Sequence, residues 1–228
     1  VLGEFPQADD DTIIPYHLVE NAIHRDVEGD EDLPSVWGLD VSRFGNDKTA
    51  LCKRQGSIVT EIRSWSGLDL MQTVGRVVAE YESLLPSKRP REILVDSIGL
   101  GSGVVDRLRE LELPVRGINV AEAPSMGATY LNLRSELWFK TKGWFEDRAC
   151  KLPKDDQLLA ELTGIRYSFT SSGKMKAESK DEMRKRGLAS PDLADALCLT
   201  MASDAATALS GAFSSWRGDI KRNLRGIA

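Results

Sequence analysis

The chain has 228 residues, 41% of them hydrophobic, and 30 Lys and Arg against 35 Asp and Glu give a net charge of −5. That length and apolar content supply one large folded domain or two small ones, and no apolar run approaches the roughly 18 residues of a bilayer span. The net acidity argues against a protein that simply coats DNA, which would be strongly basic. Residues 1–34 are acidic, carry Pro6, Pro15 and Pro34, and read as an irregular lead-in with one short helix near 16–26. Residues 35–42 read as a buried strand, followed by a turn at Arg43-Phe44-Gly45-Asn46-Asp47, where Gly and Asn tolerate positive φ. Strands at 49–53 and 57–62 around Gln55-Gly56 complete a three-stranded antiparallel meander.

Next comes a helix over 68–85. Its apolar residues Leu70, Met71, Val74, Val77, Val78, Tyr81, Leu84 and Leu85 recur every three to four positions and predict one buried face. The strand at Ile93–Val95, a helix over 102–112 and a strand over Val115–Val120 form a βαβ unit, hence two parallel strands with a crossover. Residues 129–147 read as a helix with Leu131, Leu137, Trp138, Trp144 and Phe145 as core candidates, and 155–163 as another. A hairpin over 166–170 and 174–178 turns at Ser171-Ser172-Gly173, and a helix over 190–208 closes the pattern. The expected fold is α/β, a mixed five-stranded sheet with helices on both faces and its active edge where the first and fourth strands lie side by side.

Three aspartates stand out against this plan. Asp40 closes the apolar run Val36–Leu39, Asp96 closes Ile93-Leu94-Val95, and Asp195 sits in Ser190-Pro191-Asp192-Leu193-Ala194-Asp195, which opens an apolar helix. A carboxylate in such surroundings is costly unless hydrogen-bonded, protonated or bound to a cation. If the first and fourth strands are neighbours, Asp40 and Asp96 meet, and a hard divalent cation resolves their repulsion. Asp192 and Asp195, spaced i, i+3, share a helix face, with Ser190 as the expected N-cap and Pro191 in the first turn. Two cations sharing these carboxylates would suit phosphodiester hydrolysis. Asp192 alone also reads as part of a helix cap, and Asp47 as a turn stabiliser.

Other features are less informative. Cys52, Cys150 and Cys198 form no CxxC pair and read as buried free thiols, and His17 and His24 as surface residues. Gly99-Leu100-Gly101-Ser102-Gly103 reads equally as a phosphate-approaching loop and as a tight turn with no ligand; it is not G-x-G-x-x-G, and no P-loop is present. The charge is uneven: a basic stretch holds Lys174, Lys176, Lys180, Arg184, Lys185 and Arg186, and the tail adds Arg217, Lys221, Arg222 and Arg225. Local basic surface of this kind meets a phosphate backbone or simply faces water. With no starting Met and no signal-like N-terminus, the chain reads as cut from a longer one.

Gly38-Leu39-Asp40-Val41-Ser42-Arg43-Phe44-Gly45-Asn46-Asp47-Lys48-Thr49-Ala50, Leu94-Val95-Asp96-Ser97-Ile98-Gly99-Leu100-Gly101-Ser102-Gly103-Val104-Val105-Asp106, and Glu178-Ser179-Lys180-Asp181-Glu182-Met183 followed by Ser190–Leu197 resemble three motifs of the nuclease domain of tailed-phage terminase large subunits, and Gly3-Glu4-Phe5-Pro6 is similar to the segment after that family's ATPase domain. The resemblance implies a ribonuclease H-like endonuclease that cuts concatemeric viral DNA during genome packaging, with Mg²⁺ or Mn²⁺ in a two-metal site. It implies Asp40, Asp96 and Asp195 as catalytic metal-binding acids, Asp192 and Asp47 as auxiliary ones, and Lys180 as a contact to the scissile strand; Lys174, Lys176 and Arg184 join it as candidates for DNA contact from the basic stretch alone. The domains implied are a lead-in at 1–34 after an absent ATPase domain, a nuclease at 35–208 and a tail at 209–228. The partners are double-stranded DNA, that ATPase domain, the portal and the small terminase subunit, with no membrane, in the host cytoplasm and transiently at the procapsid portal. The competing expectations are a Holliday-junction-resolvase-like nuclease, an actin-like or sugar-kinase-type ATPase, and a non-catalytic docking module whose carboxylates are structural.

Overall fold

A central strand must be apolar on both faces, and Val36, Trp37 and Leu39 of β1 (Ser35–Asp40) have no solvent exposure. The computed structural model describes residues 11–30, 32–42 and 47–203. The Gly3–Pro6 segment, most of the 43–47 turn and the tail with Arg217, Lys221, Arg222 and Arg225 lie outside the described residues. Around β1 stand β2 (Thr49–Gln55), β3 (Ile58–Trp65), β4 (Glu92–Asp96) and β5 (Val115–Ile118), in the order β3-β2-β1-β4-β5. β1 pairs antiparallel with β2 and parallel with β4, and β4 pairs parallel with β5. The mixed five-stranded sheet and the adjacency of the first and fourth strands are those expected.

Helices cover both faces. α2 (Leu70–Glu82) and α3 (Leu100–Glu110) pack on Trp37, Leu39, Ile93 and Val95. The opposite face carries α1 (Tyr16–His24), α4 (Leu133–Glu146), α5 (Asp156–Gly164) and α7 (Asp192–Leu199). Between α5 and α7 come the hairpin β6 (Tyr167–Phe169) and β7 (Met175–Ala177) and a short helix, α6 (Lys180–Lys185). Because side chains alternate along a strand, Gly38 and Asp40 share the face opposite Trp37 and Leu39, and Asp96 shares it with Leu94. α7 lies on that face, against β1 and β2. All three cysteines are buried and free, and both histidines are exposed.

Gly38 sets how deeply α7 sits. A Cβ there would lie 2.0 Å from the Ala196 carbonyl oxygen and 3.0 Å from a Thr200 methyl. Gly38→Ala is therefore expected to destabilise the fold by about 1–3 kcal/mol, the usual cost of overpacking. Urea denaturation of the two proteins reads this directly, and an unchanged midpoint would mean that α7 shifts freely.

Several boundaries differ from the sequence expectation. α2 is shorter than 68–85, because Asp69 and Gln72 form a capping box at its start, and Met71 and Leu85 are 56% and 72% exposed rather than buried. β5 ends at Ile118, before Val120. α4 begins after Asn132, whose side chain accepts from the Ser135 N–H at 3.0 Å. Leu131 is consequently 42% exposed, outside the helix and hydrogen-bonded through its N–H to the Met175 carbonyl at 3.0 Å. α6 interrupts what reads as a basic stretch; a capping box between Ser179 and Glu182 starts it. The last helix is shorter than 190–208: Pro191 is its N-cap, not Ser190, and a 3₁₀ turn at Thr200–Ala202 follows it.

Candidate active site

Strand register places the first two acids together. Leu39 pairs with Val95, so Asp40 and Asp96 are the next residues on adjoining parallel strands. Beyond Asp96 the chain turns tightly: Ile98 N–H donates to Asp96 Oδ1 at 3.1 Å, and a Cβ at Gly101 would lie 1.6 Å from the Asp96 carbonyl oxygen. The glycine loop thus has a steric reason of its own, the close approach of α3 to the strand end.

Asp192 and Asp195 come from the first turn of α7, and Asp195 lines a cleft with Lys180, the first residue of α6. Lys180 Nζ lies 2.8 Å from Asp40 Oδ2, 3.2 Å from Asp192 Oδ1 and 3.6 Å from Asp195 Oδ2. Arg134 of α4 contacts both oxygens of Asp195, with Nη2 at 3.0 and 3.2 Å, and donates Nη1 to the Glu178 carbonyl at 2.6 Å. The Trp138 indole N–H donates to Asp195 Oδ1 at 2.8 Å. Asp192 accepts from the Lys48 backbone N–H at 2.7 Å and from the Ser190 hydroxyl. Asp96 lines the same cleft.

The electrostatics follow from burial. Asp40 is 4% exposed, and desolvation pushes its carboxyl up to about 7, although the Lys180 ammonium beside it pulls the other way. Burial likewise raises Asp96. For Lys180, burial disfavours the charged form, but the surrounding carboxylates of Asp40, Asp195 and Asp192 outweigh it and hold the ammonium charged. Four carboxylates face two cationic side chains, so the cluster is two positive charges short of neutral when fully ionised.

The remaining basic and auxiliary candidates are distributed around this centre. Lys176 Nζ pairs with Glu182 at 2.8 Å, and Arg184 bridges Asp181 at 2.8 Å and Asp47 at 2.6 Å. Asp47 is therefore held by α6. Lys174 sits at the hairpin turn, half-buried, with its N–H on Thr170 Oγ1 at 3.0 Å. Sequence reasoning assigns Arg134 no role and Trp138 only a core position, yet both grip Asp195. It also misses Glu161 of α5, a buried carboxylate that accepts from the Ala194 N–H at 3.0 Å and from Gln157 Nε2 at 2.7 Å.

Glu161 gives the metal-free protein a specific pH dependence. Desolvation raises its carboxyl to about 7, with the charge of Asp192 adding to the shift and the hydrogen bonds from Gln157 and Ala194 opposing it. Lys48 reaches the same spot through Gln157, at 3.1 Å. The folded state binds this proton more tightly than the unfolded chain, so the contribution of Glu161 to stability falls as pH rises from about 4 to about 7 and is flat above. Glu161→Gln is expected to gain stability over the unsubstituted chain across that window, by up to about 1.4 kcal/mol per pH unit. Urea denaturation at pH 5 and pH 8 measures it, and an identical difference at both would show an ordinary carboxyl.

The donor chemistry fits hard divalent cations. Every acidic group is an oxygen donor, and the buried Asp40 lacks enough positive charge nearby to ionise readily. In the described arrangement, no three acidic, histidine or cysteine side chains are set to hold an ion among the described residues. Lys180 lies where their carboxylates converge and stands in for a cation.

The mixed five-stranded sheet in the order β3-β2-β1-β4-β5, with helices on both faces, is a ribonuclease H-like fold. No protein-family model matches the chain. In structure it is similar to the nuclease domain of the large terminase subunit of bacterial virus Sf6, with a TM-score of 0.70 at 22% identity over 83% of this chain and 98% of that one. It is also similar to the large terminase nuclease of thermophilic phage G20c with bound magnesium, with a TM-score of 0.63 at 16% identity over 85% and 98%. In sequence it is 25% identical over 224 residues to a protein of Enterobacteria phage P7 described as "Probable terminase, large subunit", covering 88% of this chain and 43% of that protein. The chain thus spans less than half the length of that relative. The curated relative and the solved nuclease domains are proteins of the kind that the three motifs resemble, and the fold is the one that resemblance implies.

Proposed function

We propose that the chain is a metal-dependent DNA endonuclease domain of the kind that cuts concatemeric viral DNA during packaging. The observation that carries this reading is the convergence of Asp40, Asp192 and Asp195 on one ammonium, beside Asp96 on the neighbouring strand. A mutant of the Sf6 domain has a structure with manganese and the G20c nuclease one with magnesium, which supports Mg²⁺ or Mn²⁺ as the cation for this chain.

Asp40, Asp96 and Asp195 would hold the metal, with Asp192 as a further ligand and Asp47 in an auxiliary position. When bound, two such cations activate water and stabilise the leaving oxygen of a phosphodiester. Arg134 and Trp138 fix the rotamer of Asp195, so that carboxylate keeps its aim when Lys180 lets go. Lys180 is poised to exchange its carboxylates for the scissile phosphate, to which it offers a charged donor. Lys176 lines the cleft; together with Lys174 on the same hairpin and Arg184 on α6 it would meet the flanking backbone, Lys176 and Arg184 by exchanging their present acidic partners for phosphates. The cognate partners are double-stranded DNA, the ATPase domain of the same protein, the portal and the small terminase subunit, and the setting is the host cytoplasm. Among the described residues, no helix is long and apolar enough to cross a membrane.

The test is cleavage of supercoiled plasmid with Mn²⁺, Mg²⁺ or chelator. Metal-dependent nicking and linearisation of ordinary duplex is the expected result. Exclusive cutting of four-way junctions would replace the packaging reading with a resolvase one, and inertness with every metal and substrate would remove the nuclease reading.

A further inference from the structure

We propose that Glu161 is a positioning residue for the acid-bearing helix, acting through the backbone of α7 rather than on metal or DNA. This rests on reading the Asp40–Asp195 cluster as a metal site. The first intrahelical hydrogen bond of α7 runs from Asp195 N–H to the Pro191 carbonyl at 2.7 Å. The N–H groups of residues 192, 193 and 194 therefore need partners from outside the helix. Pro191 supplies no side-chain cap, and the hydroxyl of Ser190 is turned to Asp192. Asp192 itself is engaged by Lys180, Ser190 and Lys48.

Glu161 fills the gap from another helix. Its Oε2 accepts from Ala194 N–H, and its Oε1 is fixed by Gln157. At the far end of α7, the buried Arg54 of β2 donates to Thr200 Oγ1 and to the Thr200 carbonyl, both at 2.8 Å. An acid at the N-terminus and a cation at the C-terminus both complement the helix dipole. With Gly38 setting the depth, α7 is located along its axis by Glu161 and Arg54. A local Ser or Asp cap would satisfy the same N–H, but it would not tie the helix end to α5. Ala194 directly precedes Asp195, so the Glu161 contact fixes the backbone from which Asp195 reaches toward Lys180, Arg134 and Trp138.

The experiment compares Glu161→Leu, which removes the acceptor at similar volume, with Glu161→Gln, which keeps an oxygen for Ala194. Two quantities are read on the 228-residue chain: Mn²⁺ affinity by calorimetry, and the Trp138 indole N–H resonance in metal-free protein. The indole reports the seat of Asp195 without metal or DNA. Glu161→Leu is expected to weaken Mn²⁺ binding about tenfold or more and to move the Trp138 resonance; Glu161→Gln is expected to restore both. If Glu161→Leu does not fold, Glu161→Asp withdraws the same oxygen by one methylene and should shift both readouts in the same direction. A folded Glu161→Leu or Glu161→Asp protein that loses only melting temperature, with the indole and Mn²⁺ affinity unmoved, overturns the proposal. Failure of the unsubstituted chain to bind Mn²⁺ would count against the metal-site reading instead, and the indole shift would still decide the role of Glu161.

Discussion

Asp40→Asn is expected to abolish Mn²⁺-dependent plasmid cleavage while leaving the fold intact. Asp40 is the one acid placed in both halves of the cluster: its strand position sets it beside Asp96, and its Oδ2 reaches the ammonium that Asp192 and Asp195 also approach. Losing a metal ligand forfeits several kcal/mol of transition-state charge stabilisation, which converts to about a thousandfold or more in rate. The fold should tolerate the change, because Asn retains an oxygen for Lys180 and removes a buried carboxyl whose ionisation burial already resists. Cleavage assays with circular dichroism and urea denaturation on the same preparation separate the two effects. A folded variant that still linearises plasmid at the original rate would remove Asp40 from the chemistry.

How much of this is visible from residues alone divides along a physical line. The strand order is legible, because β1 and β4 are short apolar runs ending in Asp; the meander returns β3 to the direction of β1, the crossover through α2 then sets β4 parallel to β1, and that through α3 sets β5 parallel to β4. Met71 and Leu85 mislead because a helical stripe tolerates neighbours and does not mark its own end; Met71 stands one position off the line of Leu70, Val74 and Val77, Leu85 lies beyond the end of α2, and both are exposed. Arg134 hides for a different reason. It sits 61 residues from Asp195 in a helix whose charged positions look solvent-facing, and only the packing of α4 against α7 turns it inward. Glu161 is hidden likewise, since nothing in the α5 sequence says that its acid caps another helix. Lys180 is intermediate: it stands out as one of a basic run, but charge counting gives a solvated face and a partner for carboxylates the same appearance.

Lys180→Ala follows from that last point and should split two quantities that usually move together. In the metal-free protein Lys180 is the only side chain that touches Asp40, Asp192 and Asp195 at once among the described contacts. Its removal leaves those acids short of positive charge, which should cost about 2 kcal/mol of metal-free stability, between the values for exposed and fully buried pairs. The same vacancy of charge favours a divalent cation, so Mn²⁺ should bind at least about tenfold more tightly once no ammonium competes for the carboxylates. Turnover should nevertheless fall, by about a hundredfold, because the scissile phosphate loses a charged donor. Calorimetric Mn²⁺ titration and saturating-metal cleavage measure the two sides. Parallel loss of metal affinity and turnover would make Lys180 a structural support of the site. Tighter metal binding with undiminished cleavage would make it only a placeholder for the cation, and a split in opposite directions is what an ammonium serving both the resting cluster and the reacting phosphate requires.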